Sequence, residues 1–211
     1  MHDVILPARN EAETIGPITL AFARSPSIGR VIVVDSCSTD DTARVALGNC
    51  ADLVVRCGIP GKGEALTAGL EYVKSDRVIF CDTDYVGFTS DHVSRLASFD
   101  YGVVLGEVWI GWGQYWDAGT RALPAWLARA ICPLRAYEVE QQINISLSVF
   151  GQALHRTRLY GVRQTWDLCA TTYGVKETAR QYPGSFLNLH MEHGDGSIER
   201  RRQLDIKKQR F

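Results

Sequence analysis

The sequence predicts an α/β fold: a mostly parallel sheet flanked by helices, followed by a smaller, mixed half. Three observations carry that prediction. Short apolar runs at 3–7, 30–35 and 77–80 lack the alternation of a half-exposed strand, so both of their faces are buried, as in a parallel sheet. Segments of helical character separate them at the short spacing of strand–helix–strand units with right-handed crossovers. Each run stops at polar or turn-forming residues, and in an open α/β sheet ligands sit beyond the carboxyl ends of the strands.

Size and composition bound the answer. A chain of 211 residues, 45% hydrophobic and 22% charged with a net charge of −1, fits one globular domain with a real core. No apolar run is long enough to span a membrane. The first strand begins at Asp3, which leaves no room for a signal peptide, so a cytoplasmic protein is expected. Six cysteines (Cys37, Cys50, Cys57, Cys81, Cys132, Cys169) form no Cys-x-x-Cys pair, and reduced, mostly buried thiols are expected.

The elements follow in order. Val4-Ile5-Leu6 is a buried strand stopped by Pro7, and Asn10 is placed to cap a helix over 12–23, with Glu11 and Glu13 in its first turn. The strand at 30–35 ends in Asp35, and the polar turn 36–42 caps a helix that runs to Leu47. A third strand spans 52–55. The loop 56–62 then holds Gly58, Pro60 and Gly61, and a helix spans 64–73. A glycine-flanked lysine, Lys62, at a helix start offers backbone N–H groups and a point charge suited to a diphosphate, although a solvated turn has the same composition. No Walker pattern and no Gly-x-Gly-x-x-Gly after the first strand is present, which removes phosphate-loop NTPases and dinucleotide enzymes.

The strand Arg77-Val78-Ile79-Phe80 runs into Cys81-Asp82-Thr83-Asp84. Two hard oxygen donors at a strand end suit Mg²⁺ or Mn²⁺ completed by waters and substrate phosphates. Alone, an Asp-x-Asp is equally a turn.

Four motifs together resemble the nucleotide-sugar half of GT-A glycosyltransferases, in the order and spacing of family 2: Val4 to Glu11, Ile32 to Thr42, Gly61-Lys62-Gly63-Glu64-Ala65-Leu66, and Asp82-Thr83-Asp84. The third looks most like the glucosyl-3-phosphoglycerate synthases. The resemblance covers about the first hundred residues; the second half follows those enzymes only loosely. It implies a metal-dependent hexosyltransferase (EC 2.4) that uses a nucleotide sugar, UDP-glucose or a related UDP-sugar. Pro7, Ala8 and Glu11 would hold base and ribose, and Asp35 and Ser36 would contact uracil and ribose. Lys62 would meet the diphosphate, Thr83 would line the donor site, and Asp82 and Asp84 would hold Mn²⁺ or Mg²⁺, with Asp84 also counted as catalytic.

Beyond Asp84 a helix is expected over 90–99 and a strand over 101–109, followed by an aromatic and glycine-rich stretch at 111–116. Residues 119–135 read as a helix with a basic side from Arg121, Arg129 and Arg135. The alternation over 143–150 reads as a half-buried strand. Asp167 heads a predicted helix: a plain cap, or, by the resemblance, the general base or positioning group facing the acceptor. A final strand at 185–193 ends at His193, which by the resemblance completes the metal site. The chain thus divides into a nucleotide-sugar half (1–109), an acceptor-side half (110–198) and a basic tail (199–211). The acceptor stays open among a small phosphorylated acid, a protein side chain, a hydroxylated base in nucleic acid and, ranked last for want of an amphipathic or membrane-spanning segment, a polyprenyl phosphate. The oligomeric state is open too, a homodimer included. Two other functions fit the same residues: a nucleotidyltransferase acting on a sugar phosphate, and a non-catalytic nucleotide-sugar-binding protein.

Overall fold

The computed structural model describes residues 1–111, 114–131, 143 and 150–164, all of them within the compact unit Met1–Asp167. The expected helix from Thr165, the strand at 185–193 and the basic tail lie outside the described residues.

Four strands form a parallel block: β1 (His2–Ala8), β2 (Ile28–Ser36), β3 (Leu53–Cys57) and β4 (Arg77–Phe80), with β1 between β2 and β4 and with β3 outside β2. β5 (Tyr85–Val86) leaves this sheet and pairs antiparallel with β9 (Arg163–Gln164). β6 (Val103–Gly111) and β7 (Gln114–Pro124) form an antiparallel hairpin, β7 pairs antiparallel with β4, and β8 (Leu154–Arg158) pairs parallel with β6. The seven-stranded order is β3-β2-β1-β4-β7-β6-β8.

The unbroken apolar runs are explained by two hydrophobic clusters, one on each face. Val4, Leu6, Val31, Val33 and Ile79 pack with Ile15, Ile18 and Phe22 of α1 (Ile15–Ala23) and with Val93 and Leu96 of α4 (Ser90–Leu96). Their neighbours Ile5, Ile32, Val34, Val78 and Phe80 pack with Leu66 and Leu70 of α3 (Lys62–Leu70) and with Leu127 of α5 (Ala125–Ala130). Each such side chain contributes about 1.5–3 kcal/mol on burial. Gly69 lets α3 lie close to the sheet, since a Cβ there would stand 2.6 Å from Ile5 Cγ2. That close approach fixes Lys62, the first residue of α3, over the strand ends.

Several expectations are corrected. Gly119 to Pro124 is strand, not helix: Ala122 faces one cluster and Leu123 the other, a period of two, and Pro124 stops the strand and opens the short α5. Arg121 is fully buried in that strand rather than on a basic outer face, and Arg129 donates to the Val73 carbonyl. Ile143 and Phe150, the described ends of the expected strand at 143–150, are helical. Asn10 does not cap α1. Its φ of 57° is left-handed, and the helix begins only after a turn in which Thr14 and Ile15 N–H both donate to the Glu11 carbonyl. Among the described cysteines only Cys81 is buried; Cys37 and Cys50 are exposed and Cys57 half-buried. No helix among the described residues is long and apolar enough to cross a membrane.

Candidate active site at the parallel strand ends

Because β1, β2, β3 and β4 run the same way, Ala8, Ser36, Cys57 and Phe80 end at one edge of the sheet. The loops that follow are locked by polar side chains. Asn10 Oδ1 accepts from Thr39 N–H at 2.8 Å, and Asn10 N–H donates to Ser38 Oγ at 3.0 Å. Glu11 N–H donates to Thr42 Oγ1 at 2.8 Å and Ala12 N–H to Asp40 Oδ2 at 3.1 Å. These bonds fasten the loop after β1 to the head of α2 (Thr42–Gly48). Asp40 and Thr42 therefore shape the site, a role the sequence reading had limited to turn formation; only a contact across about 30 residues reveals it.

Asp35 is buried, and its Oδ1 accepts from Ser38 N–H at 2.9 Å. The Ser36 hydroxyl donates to the Ile59 carbonyl at 3.3 Å and accepts from Gly61 N–H at 3.2 Å, so it supports the loop that carries Lys62. Gly61 is needed there: its φ of 151° is a backbone conformation that residues with a side chain rarely adopt. A cavity of about 420 Å³ opens beside this edge, lined among others by Asp35, Ser38, Arg44, Arg56 and Gly58.

The charged centre lies beyond β4. Lys62 Nζ stands 2.5 Å from Asp82 Oδ1. Thr83 is buried and its hydroxyl donates to the Pro7 carbonyl at 3.0 Å, tying the acidic turn to the end of β1. Asp84 Oδ1 is closed off from solvent and accepts no hydrogen bond from the described residues. Burial, then the negative charges of Asp82 and Glu11, push the Asp84 carboxyl well above the carboxylate range, against the pull of Lys62. Glu11 rises to about 7, first through burial and then through Asp82, Asp40 and Glu13, although Thr14 Oγ1 donates to its Oε2 at 2.6 Å.

Among the described residues three carboxylates thus gather near Lys62, and one of their oxygens is enclosed without a donor. Such a centre is short of positive charge. A divalent cation fits it: Asp82 and Asp84 supply hard oxygens from one turn, and Mg²⁺ or Mn²⁺ fills its remaining positions with waters and phosphate oxygens. Among the described residues no group of three or more His, Cys, Asp and Glu is placed to hold a metal ion, so the acidic turn supplies at most the pair Asp82 and Asp84. His193 and Asp167 lie outside the described residues. Pro7, Ala8, Glu11, Asp35, Ser36, Lys62, Asp82, Thr83 and Asp84 all come to this one edge.

A parallel block with a lysine loop and an Asp-x-Asp at its strand ends, continued by an antiparallel hairpin, is the GT-A fold. A crystal structure of glucosyl-3-phosphoglycerate synthase from Mycobacterium tuberculosis, in complex with Mn²⁺, UDP-glucose and phosphoglyceric acid, superposes with a TM-score of 0.67 at 23% identity, over 87% of this chain and 80% of that one. The chain belongs to glycosyl transferase family 2, which residues 3–110 match. Glucosyl-3-phosphoglycerate synthase of Mycolicibacterium paratuberculosis is 37% identical over 92 residues, 39% of this chain and 28% of that protein. An uncharacterized glycosyltransferase of M. tuberculosis (strain H37Rv) is 36% identical over 102 residues, 48% of this chain and 45% of that protein. The matches therefore span less than half the length of these relatives.

Proposed function

We propose that the protein is a metal-dependent hexosyltransferase that moves a sugar from a UDP-linked donor, UDP-glucose being the first candidate, to a hydroxyl of a small phosphorylated acid such as phosphoglycerate. The observation that carries this reading is the enclosed Asp84 Oδ1, without a donor among the described residues, beside the Asp82–Lys62 pair at the strand ends of a family 2 chain. The relatives add support, since the synthase of M. tuberculosis was crystallised with Mn²⁺ and UDP-glucose and with Mg²⁺ and UDP.

In this reading, the backbone at Pro7 and Ala8 and the Glu11 carboxylate take the base and ribose, with Asp35 and Ser36 on the other side. Asp82 and Asp84 would hold the ion, which when bound would offset charge on the departing nucleoside diphosphate; the third ligand that the resemblance names, His193, lies outside the described residues. Lys62 would meet the diphosphate. Thr83 keeps the acidic turn in register with β1 through Pro7. By the resemblance, Asp167 would be the group that faces the acceptor. Residues 1–109 would form the donor half and 110–198 the acceptor half.

The test is incubation of the protein with UDP-glucose, Mn²⁺ and 3-phosphoglycerate, with products read by mass spectrometry. A hexosylated phosphoglycerate and free UDP are expected. Consumption of UTP with glucose 1-phosphate in place of transfer would establish a nucleotidyltransferase. Binding of UDP-glucose with neither hydrolysis nor transfer would establish a sensor.

A further inference from the structure

Two thiols stand at the mouth of this pocket and take no part in the chemistry above. Cys37 and Cys57 both line the cavity of about 420 Å³ beside Asp35. Ser36 and Cys57 are register partners on adjacent parallel strands. An interstrand spacing of about 4.8 Å and one step of about 3.8 Å along the chain put the Cα atoms of Cys37 and Cys57 about 6 Å apart, inside the span of a disulfide. Cys37 is exposed and left-handed, with a φ of 60°. That turn swings its side chain back toward β3, where its thiol donates to the Cys57 carbonyl at 3.2 Å. A bulky residue held in this conformation is uncommon and marks a constrained position.

We propose that Cys37 and Cys57 form a reversible disulfide that weakens donor binding, an oxidation site at the edge of the nucleotide pocket; its effect on the donor rests on the function proposed above. The oxidant is a low-molecular-weight disulfide. One thiolate attacks it to give a mixed disulfide, and the second thiolate displaces the small thiol. Two S–H bonds are lost and one S–S bond forms. Two electrons and two protons leave with the pair of small thiols.

The link to the donor is the Lys62 loop. The Cys57 thiol donates to the Ile59 carbonyl at 3.2 Å, the same carbonyl that receives the Ser36 hydroxyl. Oxidation removes this S–H donor and draws Cys57 Sγ toward Cys37. One of the two described side-chain donors to the Ile59 carbonyl, in the loop that ends at Gly61 and Lys62, is then gone. Cys81, by contrast, is buried among apolar groups, and burial pushes its thiol far up, so it stays inert. Cys50 is exposed but lies in the loop between α2 and β3, at the other end of β3.

The experiment treats the full chain with glutathione disulfide, then maps tryptic peptides and titrates UDP with Mn²⁺. Cleavage at Arg30, Arg44, Arg56 and Lys62 puts Cys37, Cys50 and Cys57 in three separate peptides, 31–44, 45–56 and 57–62. The expected result is a 31–44/57–62 cross-link that dithiothreitol reverses, with UDP affinity about tenfold lower in the oxidised protein. Cys37→Ser and Cys57→Ser should each abolish the difference between oxidised and reduced protein, and Cys57→Ser keeps a hydroxyl for the Ile59 carbonyl. Single glutathione adducts without the cross-link, a cross-link to Cys50, or equal UDP affinity in both states would overturn the proposal. Reduced protein that fails to bind UDP defeats the donor reading, and the effect on it, while the peptide map still judges the disulfide by itself.

Discussion

Glu11 is the residue whose replacement separates stability from function most cleanly. Its carboxyl is raised from 4.5 to about 7, by burial first and then by Asp82, Asp40 and Glu13. The folded protein therefore holds this proton more tightly than the unfolded chain does. Its contribution to stability is complete below pH 4.5 and is lost as pH rises through about 7. At about 1.4 kcal/mol per pH unit the gap sets a ceiling of about 3 kcal/mol. Glu11 is only half-buried, and solvent screening reduces this to about 1–2 kcal/mol. Glu11→Gln removes the charge and keeps the shape. In metal-free buffer near pH 8 the variant should melt about 3–6 °C above the parent, and the gain should vanish near pH 4. UDP binding by the variant should weaken, because the carboxylate is needed for the donor. Thermal unfolding by circular dichroism across that range is the assay. A gain that does not change with pH, or a variant less stable at pH 8, would refute the reasoning.

Three further outcomes follow from the same site. Asp84→Ala should lower transfer by about a hundredfold or more through loss of a metal ligand. It should leave the metal-free melting temperature unchanged or higher, because an enclosed and disfavoured carboxylate is removed; a lower melting temperature would mean that Asp84 is structural. Cys81→Ala, in the adjacent core position, should do the reverse, costing about 1 kcal/mol of stability in denaturant titrations while transfer continues. Gly61→Ala puts a Cβ on a backbone held at a φ of 151° and should cost about 1–3 kcal/mol. Calorimetry should show a parallel loss of UDP affinity as Lys62 shifts, and unchanged affinity would show that the loop does not position that lysine.

The parallel block was legible because Val4-Ile5-Leu6, Val31-Ile32-Val33-Val34 and Val78-Ile79-Phe80 are buried on both faces, and continuous apolar runs have no other reading at that length. The acidic turn and Lys62 were legible as types at strand ends, but not as partners: the 2.5 Å contact between Lys62 and Asp82 depends on α3 lying close over β1 at Gly69. Gly119 to Pro124 misled because Leu123 and Trp126 fit a helical period, while the true signal was Pro124 closing a strand. Asn10 was misread as a cap because its partners, Ser38 and Thr39, lie about 30 residues away. The exposure of Cys37 and the half-burial of Cys57 were hidden in the same way, since flanking apolar residues say nothing about a strand end. The enclosed oxygen of Asp84 is a property of packing that no local pattern encodes.

The central claim is that Asp82 and Asp84 hold a divalent ion that joins the donor diphosphate to the strand ends. Calorimetric titration of UDP-glucose into the protein, once with Mn²⁺ and once with EDTA, tests it most directly. The account predicts saturable binding with Mn²⁺, a loss of about tenfold or more in EDTA, and the same loss in Asp84→Ala with Mn²⁺ present. Binding of equal strength in EDTA, or no binding with Mn²⁺, would contradict it.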